Sequence, residues 1–135
     1  MKIRRCIWED VDAVYKLEKI SFPHPYPKIF FYSYLSEIFF VLVDNNEIVG
    51  YIIADAKRNL VVSVAVHPSY RRRGYGKMLM ENAIKYMEGD VILQVRKSNE
   101  GAIKFYEKLG FTRKGELKRY YADGEDAIVM IKRRG

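Results

Sequence analysis

Residues 60–80, LVVSVAVHPSYRRRGYGKMLM, constrain the fold more than any other stretch of the chain. Leu60 to Val66 is an apolar, β-branched run and reads as a buried strand. His67-Pro68-Ser69 ends it, because proline has no amide to give a ladder, and His67 needs no further role. Arg71, Arg72, Arg73, Gly74, Tyr75 and Gly76 follow, and from Lys77 onward Leu79, Met80, Ala83, Ile84 and Met87 recur at helical spacing. A strand therefore feeds a glycine-rich loop, and the loop opens a helix. A further strand after that helix would lie parallel to the first, through a right-handed crossover.

This layout makes an anion site. The first amides of a helix lack internal partners, and the helix dipole places partial positive charge beside them. Two glycines let the backbone approach a bulky anion, and three arginines with Lys77 add forked donors and charge. A pyrophosphate is the natural ligand. The dinucleotide fingerprint fails because Leu79 stands at its third glycine. The Walker A loop fails because Met78 stands at its Ser/Thr and no glycine precedes Gly76-Lys77 at the required distance.

The chain of 135 residues is long enough for one domain with a real core, and its 49% hydrophobic content excludes a disordered chain. No apolar run approaches the ~20 residues of a membrane span, and residues 1–12 turn charged too early for a signal peptide. A cytoplasmic protein with no membrane partner is expected. A lone cysteine, Cys6, excludes an internal disulfide, and with only His24 and His67 no histidine- or cysteine-based metal site is expected. Part of the formal charge of +7 is concentrated at the glycine loop, where an anionic ligand accounts for it.

The remaining elements follow in order. Residues 2–7 read as an edge strand, and Glu9, Asp10 and Asp12 supply the acidic start of a helix carrying Val11, Val14, Leu17 and Ile20. Three prolines in residues 23–27 stop that helix and make SFPHPYP an ordered loop. Phe30, Phe31, Tyr34, Leu35 and Ile38 mark a second helix; residues 39–43 and 48–56 read as strands around an Asp44-Asn45-Asn46-Glu47 hairpin turn. Residues 91–96 alternate as a strand, Asn99 begins a helix that Gly110 closes, and residues 111–112 and 127–131 are late strands around Asp123-Gly124-Glu125. The order β-α-α-β-β-β-α-β-α-β-β predicts a mixed α/β sheet with helices on both faces.

Arg71-x-x-Gly74-x-Gly76 after a V-x-V strand resembles the acetyl-CoA-binding segment of the GNAT acetyltransferases. LQVRKSNEGAIKFYEKLGF is similar to the segment that completes their cofactor site. KRYYADGEDAIVM and the SFPHPYP loop resemble one branch, the RimI-type and related archaeal and eukaryotic protein N-terminal acetyltransferases. The resemblance spans nearly the whole chain. It implies a single domain over residues 1–135 with a mostly antiparallel central sheet. It implies acetyl transfer from acetyl-CoA to the α-amino group of protein or peptide N-termini, ribosomal proteins being candidates.

Residue roles follow from the same resemblance. Val64, Ala65 and Val66 would hold the pantetheine by their backbone. The loop from Arg71 through Arg72, Arg73, Gly74, Tyr75 and Gly76 to Lys77 would hold the pyrophosphate, and Asn99 would also touch the cofactor. Tyr106 matches the tyrosine that protonates the departing thiolate; its phenol, of ordinary pKa ≈ 10, suits that task. Phe22, His24, Tyr26, Gln94, Tyr120 and Tyr121 would line the peptide side. The branch carries a glutamate, its general base, where this chain has Gln94, and an amide cannot take that proton. His24, with an unperturbed pKa ≈ 6.5, is the alternative by side chain. A neutral fraction of an α-amine of pKa ≈ 7.7–8.0 also exists without a strong base. Two rivals stand beside this reading. One is a GNAT enzyme acting on lysine or a small amine. The other is a nucleic-acid-binding module, disfavoured because the arginines are confined to one loop rather than interleaved with aromatics.

Overall fold

The computed structural model describes residues 1–134. Seven strands form one sheet: β1 (Lys2–Arg5), β2 (Ile38–Asp44), β3 (Glu47–Asp55), β4 (Leu60–Val66), β5 (Val91–Arg96), β6 (Thr112–Leu117) and β7 (Ala127–Lys132). Their order across the sheet is β1-β2-β3-β4-β5-β7-β6. Every neighbouring pair is antiparallel except β4 and β5, which are parallel. Among the described residues four α-helices join the strands: α1 (Val11–Ser21), α2 (Lys28–Ser33), α3 (Tyr75–Ile84) and α4 (Glu100–Lys108). The tight β2–β3 hairpin places Asn45 and Asn46 at φ of 49° and 66°, the left-handed region that asparagine tolerates best among non-glycine residues.

Two cores explain why β2 is apolar at every position from Ile38 to Val43. Phe39, Val41 and Val43 pack with Val11, Val14 and Leu17 of α1 and with Phe31 of α2. Phe40 and Leu42 point the other way, toward Leu79, Met80 and Ala83 of α3 and Ile103 of α4. A strand covered on both faces loses the hydrophobic alternation of a half-solvated one. Each fully buried Leu, Ile or Phe contributes roughly 1.5–3 kcal/mol from burial alone.

Several element boundaries differ from the sequence reading. A 3₁₀ turn at Trp8–Asp10 precedes α1. The second helix is only six residues, and Ile38, expected on it, opens β2. Tyr34 to Glu37 turn the chain from α2 into β2, so an apolar residue at helical spacing is claimed by the sheet. α3 begins at Tyr75, two residues before Lys77. The penultimate strand runs to Leu117, although all six residues are exposed, because β7 supplies its ladder. Exposure removes the apolar signal that periodicity depends on.

The feature that positions a site is a parting of strands. The parallel ladder joins β4 to β5 only at Leu60↔Ile92 and Val61↔Leu93. A register shift opposite Ile53/Ala54 places an extra residue, Val62, in β4 at that point. A bulge of this kind bends its strand away from a neighbour. Beyond it β4 continues to Val66 without β5 beside it, which leaves one edge of its backbone unpaired in the middle of the sheet.

Candidate active site

A cavity of about 610 Å³ lies along the freed edge of β4. Val64, Ala65 and Val66 form one wall, and Gly101, Ala102, Phe105 and Tyr106 of α4 stand opposite. Arg71, Arg72, Gly74, Tyr75, Gly76, Lys77 and Lys108 line it as well, and so do Ser21 and Phe22 at the end of α1. One continuous space thus joins a basic loop, a free strand edge and the α1–α2 connection.

The loop is built for backbone approach. Pro68–Tyr70 forms a 3₁₀ turn started by His67, whose Nδ1 accepts the Ser69 amide. Arg71 Nε donates to the Val66 carbonyl at 3.1 Å and ties the loop to β4. Arg72 and Gly74 sit at φ of 63° and 82°, and Gly74 is the N-cap of α3. The helix starts with unpartnered amides beside Arg72 and Lys77, the arrangement that binds phosphate. These residues fit a diphosphate at one end and an amide-bearing chain along β4. Among the described residues, no cluster of three or more His, Cys, Asp or Glu could hold a metal ion.

The expected cofactor residues thus converge on one cavity, with one exception. Arg73 does not line it; its guanidinium lies over the Tyr70 ring, 5.6 Å from the centroid. Asn99 lines the cavity while its side chain caps α4 by accepting the Ala102 amide at 3.1 Å. Tyr106 lines the cavity with its ring edge-on to Phe111. Burial, and then the nearby Tyr121 phenol, push the Tyr106 phenol well above its ordinary value.

The expected substrate-side residues divide differently. Phe22 lines the cavity. Tyr26 stacks on Phe30 with ring centroids 4.0 Å apart. Tyr120 and Tyr121 meet edge to face, and the Arg96 guanidinium sits 4.0 Å from the Tyr121 centroid. Gln94 lies opposite Val129 and faces away from the α3–α4 core. His24 is not in the cavity lining. It is half exposed, and its Nε2 lies 3.5 Å from Asp123. The proton-accepting role expected of His24 therefore has no support from its position. His24 instead joins the α1–α2 loop to the β6–β7 connection.

Three groups were not legible in advance. Lys108 extends the basic end of the cavity; Gly101, Phe105 and Lys108 recur at i, i+4 and i+7, the spacing that could have revealed a lining stripe. Arg96 pairs with Asp123 and Glu125 and so braces the YYADGEDA run. Glu18 is buried under the sheet and accepts a hydrogen bond from the Tyr51 hydroxyl, with Ser63 Oγ at 3.1 Å. A glutamate on a Lys/Glu-rich helix carries no sequence mark of burial.

Known proteins resemble this chain in sequence and fold. The model of the acetyltransferase (GNAT) family matches residues 11–111. The N-alpha-acetyltransferase of Saccharolobus solfataricus is 37% identical, covering 96% of this chain and 91% of that protein. The ribosomal-protein-S18-alanine N-acetyltransferase from Escherichia coli superposes with a TM-score of 0.84 at 31% identity, over 98% of this chain and 92% of that one. A chain of the NatC complex bound to Gag peptide and CoA superposes with a TM-score of 0.84 at 27% identity, over all of both chains. With a family match across most of its length, and with the parted strands and basic helix-opening loop in place, the chain belongs to the GNAT acetyltransferase family.

Proposed function

We propose that this chain, as one domain, transfers the acetyl group of acetyl-CoA to the α-amino group of protein N-termini. The observation that carries the reading is the cavity between the freed edge of β4 and α4, with phosphate-binding groups at one part and Phe22 of the α1–α2 connection at another. The Saccharolobus relative is an N-alpha-acetyltransferase, and the NatC neighbour is bound to both a peptide and CoA. The reading places the enzyme in the cytoplasm, with neither nucleic acid nor membrane as partner.

Bound acetyl-CoA supplies a thioester activated toward amines. Arg71, Arg72, Lys77, Lys108 and the amides at the start of α3 would hold its diphosphate. The open edge at Val64, Ala65 and Val66 would pair with the pantetheine amides, as a strand edge pairs with an extended chain. Tyr106 stays protonated at neutral pH, because burial favours the neutral phenol, and can give a proton to the leaving sulfur. Gln94 cannot serve as the base. The amine arrives partly neutral by its own pKa ≈ 7.7–8.0.

The test is acetyl transfer from labelled acetyl-CoA to a peptide library varied at the first two residues, each peptide also carrying an internal lysine. Acetylation is expected on the free α-amine and lost when that amine is blocked. Equal acetylation of free and blocked peptides, all of it on lysine, would move the function to the lysine or small-amine class.

A further inference from the structure

A second cavity, of about 370 Å³, opens between α3 and the end of α4. Met80, Ile84 and Leu109 give it an apolar floor, and all three pack against the larger core. Lys77, Lys108 and Lys132 stand around that floor, with Glu81 as the one carboxylate in the lining. Among the described residues none of these ammonium groups makes an ion pair, whereas Lys28, Lys97 and Lys118 each meet a carboxylate. Cations that converge without partners repel one another, and a bound anion relieves that repulsion.

Lys132 is the most firmly placed of the three. It is half-buried at the end of β7, and its Nζ donates to the Leu109 carbonyl at 2.5 Å. A Cβ at residue 110 would come within 2.7 Å of that nitrogen, so Gly110 leaves it room. The bond occupies one of the three N–H groups of an ammonium and leaves the others for a ligand. Glu81 and the carbonyls at the end of α4 oppose an anion here. Lys132 already meets one of those carbonyls, and three ammonium groups against one carboxylate keep the groove positive.

The groove adjoins the donor cavity, because Lys77 and Lys108 line both. Acetyl-CoA with its pantetheine along β4 and its diphosphate at the α3 loop must still place a nucleoside whose ribose carries a phosphomonoester. We propose that the α3–α4 groove is a phosphomonoester site, filled by that ribose phosphate of the bound donor, with Lys132 as its ligand and with Lys77 and Lys108 shared with the diphosphate. This rests on acetyl-CoA as the donor and is independent of which amine accepts the acetyl group. The site recognises the donor at its far end, where no bond is made or broken. It therefore strengthens donor binding and leaves the proton transfer from Tyr106 untouched.

The test is calorimetric binding of acetyl-CoA and of acetyl-dephospho-CoA, which lacks only the ribose phosphate. Wild type is expected to prefer acetyl-CoA by about tenfold or more, the scale of one hydrogen bond to a charged group, and by less at high salt. Lys132→Met is expected to cut the preference to about threefold or less by weakening acetyl-CoA alone. Equal weakening of both donors, or a folded variant with the wild-type preference, overturns the site and leaves Lys132 as a cap on α4. Glu81→Lys decides between these outcomes should Lys132→Met fail to fold, because Glu81 is exposed and makes no ion pair among the described residues. It is expected to widen the preference by about threefold, the scale of an exposed charge pair. A preference at or below that of wild type in Glu81→Lys overturns the site. Inorganic phosphate that binds the CoA-saturated enzyme, and no longer binds Lys132→Met, hands the groove to a free anion and overturns the donor assignment. Wild type that binds neither donor removes the donor reading and the groove together, whereas wild type that binds both alike removes the groove alone.

Discussion

At the scale of single residues, Tyr106 illustrates how an ordinary helix residue becomes chemically special. It packs against the core and still lines the cavity. Its surroundings raise its pKa chiefly by burial, so the phenol remains a proton donor across the physiological range. Tyr106→Phe removes the hydroxyl and preserves the ring packing on Phe111. The expected outcome is a fall in kcat of ~10²–10⁴-fold with acetyl-CoA KM little changed, read by steady-state kinetics with a chemistry-limited peptide. Wild-type turnover in that variant would return Tyr106 to the core. The wild-type kcat profile should show no loss of activity from Tyr106 deprotonation below pH ~10, because the shift is upward. Position alone separates Tyr106 from His24: both carry plausible acid–base side chains, but only Tyr106 faces the cavity.

At the scale of elements, the glycine loop makes two different demands with one residue type. Gly74 has φ +82°, and a Cβ built there would meet nothing within 4 Å. Gly76 has no unusual dihedral, and a Cβ there would come within 2.6 Å of the Phe105 ring. Gly74 is therefore required by backbone conformation and Gly76 by the close packing of α3 on α4. Gly74→Ala should cost about 1 kcal/mol from its left-handed backbone. Gly76→Ala should cost about 1–3 kcal/mol by forcing Phe105 aside, and should raise acetyl-CoA KM because Phe105 lines the cavity. Urea unfolding measures the stabilities and acetyl-CoA titration the affinity. Equal acetyl-CoA KM in the Gly76→Ala and wild-type enzymes would show that the loop tolerates the displacement. The motif displays both glycines equally; which constraint each one meets depends on α4, a partner more than twenty residues away in the chain.

At the scale of the whole molecule, Asp10 ties the first strand to the first helix. Arg4 Nη1 and Nη2 donate to its two oxygens at 2.6 and 3.0 Å, and the Ile7 amide donates at 2.9 Å. The Arg4 hydrogen bonds lower the Asp10 pKa, with burial opposing and the Ile7 amide assisting. A depressed carboxylate contributes stability above its unfolded pKa of ≈ 3.9, and that contribution is lost as pH falls through the folded value. Asp10→Asn should lower stability by about 1–2 kcal/mol at pH 7, a figure kept modest because the Arg4 side chain is 37% exposed. The gap between wild type and variant should stay constant down to about pH 5 and close below pH 4, as urea unfolding across that range would record. A gap that widened on acidification would contradict the assigned sign.

By itself, the sequence determined the strand–loop–helix layout, the order of strands and helices, and the family to which the chain belongs. Local causes account for that: β-branched runs, proline breaks, glycine caps and a helix start act over a few neighbouring residues. The tertiary structure alone decided three things. It parted β4 from β5 through an extra residue in β4, visible only once β3 supplies the register. It took His24 out of the cavity and paired it with Asp123, a residue almost a hundred positions away. It buried Glu18 among Tyr51, Ser63 and the Tyr26 amide. For His24 and Glu18 the deciding partners are distant in the chain, and for the parted strands the partner is another strand of the sheet. A side chain's chemistry can be read from its type, but its burial, its partner and the cavity it faces are properties of the packed fold.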